Sequence, residues 1–165
     1  MKQKSIDLLN KAVADELAAV HQYMYFHFHC NDMGYDLISN LFRRTAIEEM
    51  MHVELLAERI LFLKGEVEMN TSKDVEKTHD VKKMLEIAAK METGSVKDYN
   101  DWALESSKNA DSATKKIFEQ LVDDEERHFD QYDTEMENLV KFGDNYLALQ
   151  SIERSKTLSA GNPPA

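Results

Sequence analysis

Apolar residues recur along this chain in steps of three and four, in four long stretches. That spacing keeps one face of an α-helix apolar, so each stretch predicts an amphipathic helix. In the first, Ile6, Leu9, Val13, Glu16, Val20, Tyr23 and His27 share a seam, and the turn-forming "NDMGYD" with Gly34 ends it. The second runs from about Leu37 to Lys64 with the seam Ile38, Phe42, Thr45, Glu49, His52, Leu56, Ile60 and Leu63, and Gly65 closes it. The third runs from about Asp80, a suitable N-cap, to Lys108, with the seam Leu85, Ala88, Glu92, Ser95, Tyr99 and Trp102. The fourth follows "NADSA" and reaches about Phe142, with Phe118, Leu121, Glu125, His128, Tyr132, Met136 and Leu139 in phase and Gly143 as its stop. "DNYLALQSIERSK" predicts a short fifth helix, and "TLSAGNPPA" (157–165) a disordered tail. One domain over 1–156 follows.

The connections set the topology. Short turns join helix one to two and three to four, so each pair is expected to be an antiparallel hairpin. The link between the hairpins, "GEVEMNTSKDVEKTH", is long and polar. A helix of about 28 residues spans roughly 42 Å, and fifteen extended residues reach up to about 50 Å. The link can therefore run the length of the bundle and start helix three at the end where helix two began. The expected fold is all-α: a four-helix bundle with a long crossover between helices two and three and a short fifth helix.

Each seam carries a glutamate where the pattern calls for an apolar residue: Glu16, Glu49, Glu92 and Glu125. Two are followed three residues later by a histidine on the same face, in "EEMMH" (Glu49, His52) and "DEERH" (Glu125, His128). An unpaired carboxylate in a core costs several kcal/mol, comparable to the whole stability of a domain. Four of them converging demand cations. Glu16 and Glu49 stand 33 residues apart, as do Glu92 and Glu125. The two hairpins thus carry their carboxylates in matching registers, and pairing them brings four carboxylates and two imidazoles to one level, enough for two metal ions. Oxygen-rich donors with one imidazole per ion suit iron or manganese, whereas zinc prefers four ligands with more His or Cys. Iron is the expected metal, with manganese and zinc as alternatives. A lone Glu-x-x-His carries little: "EKTH" at 76–79 has the same spacing inside the polar crossover. Glu48 and Glu126 adjoin the chosen glutamates, but only Glu49 and Glu125 keep both the 33-residue match and the seam phase.

Composition narrows the function. Gly (5) and Pro (2) are scarce, in keeping with long helices, and the single cysteine, Cys30, excludes an intrachain disulfide and any CxxC metal site. No apolar run approaches the roughly 18 residues of a membrane span, and "MKQKSIDLLN" does not read as a signal peptide. These features predict a cytoplasmic protein. The net charge of −11 opposes direct binding to nucleic acid and favours cations near the surface.

With these motifs in place, the chain resembles the bacterioferritins over nearly its whole length, from "ADELAAVHQY" through "EEMMH" and "AERILFLKG" to "DEERH" and "KFGDNYLALQSIE". The resemblance implies a ferritin-like fold and a ferroxidase that oxidises Fe2+ with O2 or H2O2 and stores ferric mineral in a hollow homo-oligomeric shell. It places the di-iron ligands on Glu16, Glu49, His52, Glu92, Glu125 and His128, the six that the spacing selects, and an electron-transfer tyrosine on Tyr23. It places the methionine that binds haem b between two subunits on Met50; ordinary helix packing is the alternative role for that residue. Many bacterioferritins carry an inner-surface histidine where this chain has Arg44, which puts that iron site in doubt. The chain also resembles Dps-like proteins with a bacterioferritin-type site, which form twelve-subunit cages used against peroxide; the fifth helix favours the twenty-four-subunit shell. A discrete di-iron peroxidase is a further alternative. A reductase or ferredoxin is the expected partner for iron release.

Other residues read as structural. His27, His29 and Cys30 of "HFHC" spread around a helix and cannot all face one ion unless the helix ends there. Met24, Tyr25, Phe26 and Phe28 form a stripe expected to pack between subunits, and Trp102 is expected in the core. Gly94, two residues after Glu92, suggests close packing or local adjustment near the site, since it costs about 1 kcal/mol against Ala in a helix.

Overall fold

The computed structural model describes residues 2–161. Among these there are five helices and no strands: α1 (Lys2–Asp32), α2 (Asp36–Phe62), α3 (Val81–Lys108), α4 (Ser112–Phe142) and α5 (Asn145–Ser159). The expected seams are the buried faces. Asp80 caps α3 by accepting a hydrogen bond from Lys83 N, and Asp111 caps α4 by accepting from Thr114 N. α5 runs three residues beyond its expected end, so Thr157–Ser159 are helical; residues 162–165 of the expected tail lie outside the described residues.

α1 packs on α2 and α3 on α4, and the hairpins meet through α1 with α3 and α2 with α4. The crossover is held along α1 by two side-chain amides. Asn10 donates to Glu66 O and accepts from Glu68 N; Gln22 donates to Glu76 O and accepts from Glu76 N. Between them Ser72 N donates to Ala14 O. These contacts lead the chain from the start of α1 toward its end, where α3 begins.

Two turns need glycine. Gly34 ends α1 at φ +82°, a left-handed conformation that L side chains rarely adopt, and a Cβ there would meet Ser151 Oγ at 2.7 Å. Gly65, after α2, has no such φ; a Cβ there would lie 2.8 Å from Ile6 Cγ2. α2 lacks a side-chain cap of its own. Gln150 Oε1 of α5 instead accepts from Leu37 N at 3.2 Å, and Arg154 binds Asp36 and Asn31, so α5 is docked over the α1–α2 turn.

The core is divided in two. An upper cluster holds Tyr23, Phe26, Ile38, Phe42, Met84, Leu85 and Tyr132. A lower one holds Leu9, Val13, Leu56, Ile60, Tyr99, Phe118 and Leu121. Between them lies a layer of buried polar residues.

Three expectations are corrected. Phe26 belongs to the upper core with no exposure, and Met24 and Tyr25 pack against it, so only Phe28 of that stripe is exposed. Trp102 is half-buried at the edge of the lower cluster rather than inside it. Of the two readings of Gly94, close packing is removed: nothing lies within 4 Å of an added Cβ.

Candidate metal centre

The polar layer is built from one residue level on four helices. α1 contributes Glu16, α2 Glu49 and His52, α3 Glu92, and α4 Glu125 and His128; none is more than 6% exposed. One ligand atom from each of Glu16, Glu49, His52 and Glu125 can be chosen so that all lie within 4.8 Å of one another, and the same holds for Glu49, Glu92, Glu125 and His128. Glu49 and Glu125 belong to both groups. The arrangement could hold two adjacent cations, with two carboxylates common to both groups and one terminal carboxylate and one imidazole in each. The six residues selected from the sequence are thus all brought together.

The donor atoms that face inward lack hydrogen-bond partners. Both oxygens of Glu49, Oε2 of Glu92, Oε1 of Glu125 and Nδ1 of both histidines are buried and unsatisfied. Buried polar groups are rarely left so, and several in one place point to a ligand. The imidazole atoms lie close to the carboxylates: His52 Nδ1 is 2.8 Å from Glu49 and 3.1 Å from Glu125, and His128 Nδ1 is 3.2 Å from Glu49. Two metal ions fit this donor set, because they would replace the unsatisfied contacts with bonds.

The outward atoms are pinned. His128 Nε2 donates to Glu48 at 2.7 Å and His52 Nε2 to Asp124 at 3.1 Å. Since an ionised carboxylate only accepts, Nε2 carries the proton and Nδ1 is directed at the centre. Arg127 spans both carboxylates, at 2.7 Å from Glu48 and 3.2 Å from Asp124. Tyr23 donates to Glu92 at 2.5 Å, and Tyr99 donates to Glu16. Each tyrosine therefore orients the terminal carboxylate of the other hairpin.

The electrostatics follow from four carboxyls in one dry layer. Burial, then repulsion from Glu49 and Glu125, raises Glu16 well above the usual carboxyl range. Burial and Glu125 push Glu92 up to about 8. Burial acts to lower both imidazoles, but the carboxylates packed around them outweigh it and raise both, which favours their protonated forms. Burial and the neighbouring carboxylates raise the phenols of Tyr23 and Tyr99. Burial also opposes ionisation of Glu48, yet Arg127 and His128 hold its carboxyl below its ordinary value.

Other sequence candidates separate. Met50 stands outside the layer, 48% exposed on α2. The partners of "HFHC" diverge: His27 bonds Ser39, His29 stacks on His79 with ring centroids 4.3 Å apart, and Cys30 meets Met84. Glu126 is exposed, and Glu48 acts on His128 from outside. Tyr99, Asp124 and Arg127 were not foreseen as parts of the site. Two of them carry a signal that repeats between the hairpins: a tyrosine seven residues after the α1-type glutamate (Tyr23, Tyr99) and an acid just before the α2-type one (Glu48, Asp124). Arg127 breaks that symmetry, since Met51 takes its place in the first hairpin.

Comparison with known proteins agrees with this geometry. Residues 6–142 match the family model described as a ferritin-like domain. The chain is 34% identical over 147 residues to the bacterioferritin of Desulfovibrio desulfuricans, covering 89% of this chain and 82% of that protein. It is 34% identical over 141 residues to the bacterioferritin of Brucella melitensis, covering 86% and 88%. The X-ray structure of the Desulfovibrio desulfuricans bacterioferritin, described as showing its diiron site in different catalytic states, superposes with a TM-score of 0.89 at 33% identity, covering 91% of this chain and 88% of that one. On the ferritin-like match across most of its length, the shared fold and these full-length relatives, the chain belongs to the bacterioferritins of the ferritin-like family.

Proposed function

We propose that this protein is a ferroxidase that binds two Fe2+ ions through Glu16, Glu49, His52, Glu92, Glu125 and His128, oxidises them to Fe3+, and stores the product as ferric mineral in a hollow shell of identical chains. The observation that carries this reading is the set of buried, unpaired donors converging between the two core clusters. Four carboxylates balance the four positive charges of two Fe2+ ions, which removes the cost of burying them. The oxygen-rich set favours iron or manganese over zinc, and the diiron site of the solved relative favours iron.

Fe2+ is the substrate. Each ion loses one electron; with two protons the pair converts O2 to H2O2, or H2O2 to two waters. The protein supplies position and charge. Glu49 and Glu125 would hold both ions, Glu16 and Glu92 one each, and the histidines would bind through Nδ1, which must be free of a proton to do so. Tyr23 and Tyr99 keep the terminal carboxylates aimed inward, and Tyr23 assists electron transfer.

Assembly is supported by exposed apolar side chains on several faces, among them Phe28, Leu37, Met51, Leu61, Phe62, Leu149, Ile152 and Leu158. The twenty-four-subunit shell is the reading favoured by a docked α5. Met50 is exposed on α2 beside Met51, which supports the reading that it pairs with its copy in a second chain to bind haem b. Met50→Leu is expected to remove any haem absorbance and spare ferroxidation; haem that persists removes Met50 as its ligand.

The direct test is the double variant Glu49→Ala, His52→Ala. Stopped-flow absorbance should show Fe2+ oxidation reduced to the protein-free background, while circular dichroism and native mass stay those of the wild type. Wild-type oxidation rates in this variant would refute the assignment.

A further inference from the structure

The two hairpins differ in where their tyrosines lead. Tyr23 touches Phe42 at 6.2 Å and Tyr132 at 5.5 Å between ring centroids, and both of these are fully buried. Among the described residues, the ring contacts from there reach the surface only through Phe26, and phenylalanine is not oxidised where tyrosine and tryptophan are. Tyr99 touches Trp102 directly, with centroids 5.6 Å apart, and Trp102 is half-buried and the only tryptophan of the chain. Phe118 lies 5.9 Å from Tyr99 and 5.7 Å from Trp102 and fills their core side. Glu16, Tyr99 and Trp102 thus form a short line from the metal centre to the edge of the bundle, made of one hydrogen bond and one ring contact between the two most readily oxidised aromatic side chains.

We propose that Tyr99 and Trp102 form an electron relay that carries an oxidising equivalent from the metal centre to the protein surface; this rests on the ferroxidase reading. The relay acts when H2O2 meets a centre that holds one Fe2+ rather than two. Peroxide needs two electrons and two protons to become two waters, and the single ion supplies one electron. Without a second electron the product is hydroxyl radical, formed among the ligand side chains. Trp102 supplies that electron through Tyr99. The Tyr99 phenol loses an electron while its proton passes along the existing hydrogen bond to Glu16. Trp102 then reduces the phenoxyl group, the proton returns from Glu16 to Tyr99, and the indole N–H releases its proton to water. In sum, Fe2+, H2O2, one proton and the indole give Fe3+, two waters and a neutral indolyl radical. At the bundle edge a soluble thiol or ascorbate restores the indole by donating a hydrogen atom.

The test is freeze-quench electron paramagnetic resonance on the full-length protein, loaded with one Fe2+ per chain and mixed with H2O2. Fe2+ oxidation is followed on the same samples. Wild type is prepared with natural and with ring-deuterated tryptophan. The expected signal narrows on deuteration, gives way to a phenoxyl signal in Trp102→Phe and falls several-fold in Tyr99→Phe. Peptide mapping should find oxidation products on Trp102 in wild type. Iron oxidation without any deuteration-sensitive radical in wild type overturns the relay and leaves the ferroxidase reading standing. A radical that survives Tyr99→Phe and is lost in Tyr23→Phe overturns the role of Tyr99. Failure of the wild type to oxidise Fe2+ overturns both readings.

Discussion

Each imidazole of the centre is held at Nε2 by an outer carboxylate, while its Nδ1 faces the inner carboxylates without a hydrogen bond. The outer acids fix ring orientation and tautomer, so their loss acts on metal binding rather than on the fold. Glu48→Ala or Asp124→Ala is expected to weaken Co2+ binding by about 10–100-fold, read in a competition titration against a chelator. In the metal-free centre the neighbouring carboxylates favour protons on His52 and His128, and burial favours them on Glu16 and Glu92. Binding Co2+ near neutral pH should therefore release protons and acidify a weakly buffered solution; uptake of protons would contradict the sign. At this scale the six inward residues were readable from the sequence, because a buried charge interrupts an apolar seam visibly. Arg127 was not, because it sits among exposed charges on α4 and only the fold brings Glu48 within 2.7 Å of it.

At the scale of the element, Asp111 ties the start of α4 to two other helices. It caps Thr114 N, accepts from Ser5 and Thr114 hydroxyls, and pairs with Arg59 at 2.7 Å. Burial opposes its ionisation, but these donors outweigh it and lower its carboxyl to about 2. A carboxyl lowered in the folded state stabilises above its unfolded value, and that stability is lost as pH falls through the folded one. Asp111→Ala is accordingly expected to lower stability by about 1–2 kcal/mol near neutral pH. The difference from wild type should shrink as pH falls from about 4 toward 2 in denaturant titrations. Gly94→Ala meets open space and should stabilise α3 by about 0.5–1 kcal/mol, raising the melting temperature; a fall would indicate a contact at this position in the assembled protein. The helices themselves were legible in the apolar period. Gln150, which caps α2 from another element, was not, since a capping residue is ordinarily sought next to the helix it caps.

The whole molecule is two apolar clusters separated by a charged layer, with a polar strap along one side. The strap is held by Asn10 and Gln22, each bonded twice to backbone. Replacing both by Ala should leave the four long helices intact and make the amides of residues 66–76 exchange faster with deuterium; unchanged protection would show that other contacts hold the strap. Native mass spectrometry with metal analysis measures the assembly: twenty-four chains with many irons support storage, twelve support a peroxide-consuming cage, and a dimer with two metals per chain removes the shell.

The sequence by itself determined the helices, their pairing and the level at which the charges meet. Those depend on periods of three and four, on loop lengths and on the 33-residue spacing within each hairpin, all local along the chain. It also carried the identity of the six converging residues, since carboxylates in an apolar seam have no other cheap explanation. Only the tertiary structure decided what surrounds them. Which tyrosine reaches which glutamate, which acid holds which histidine and where Trp102 meets Tyr99 are contacts between helices. They depend on the rotation and offset of one helix against another, which packing sets and the period along a single helix does not encode.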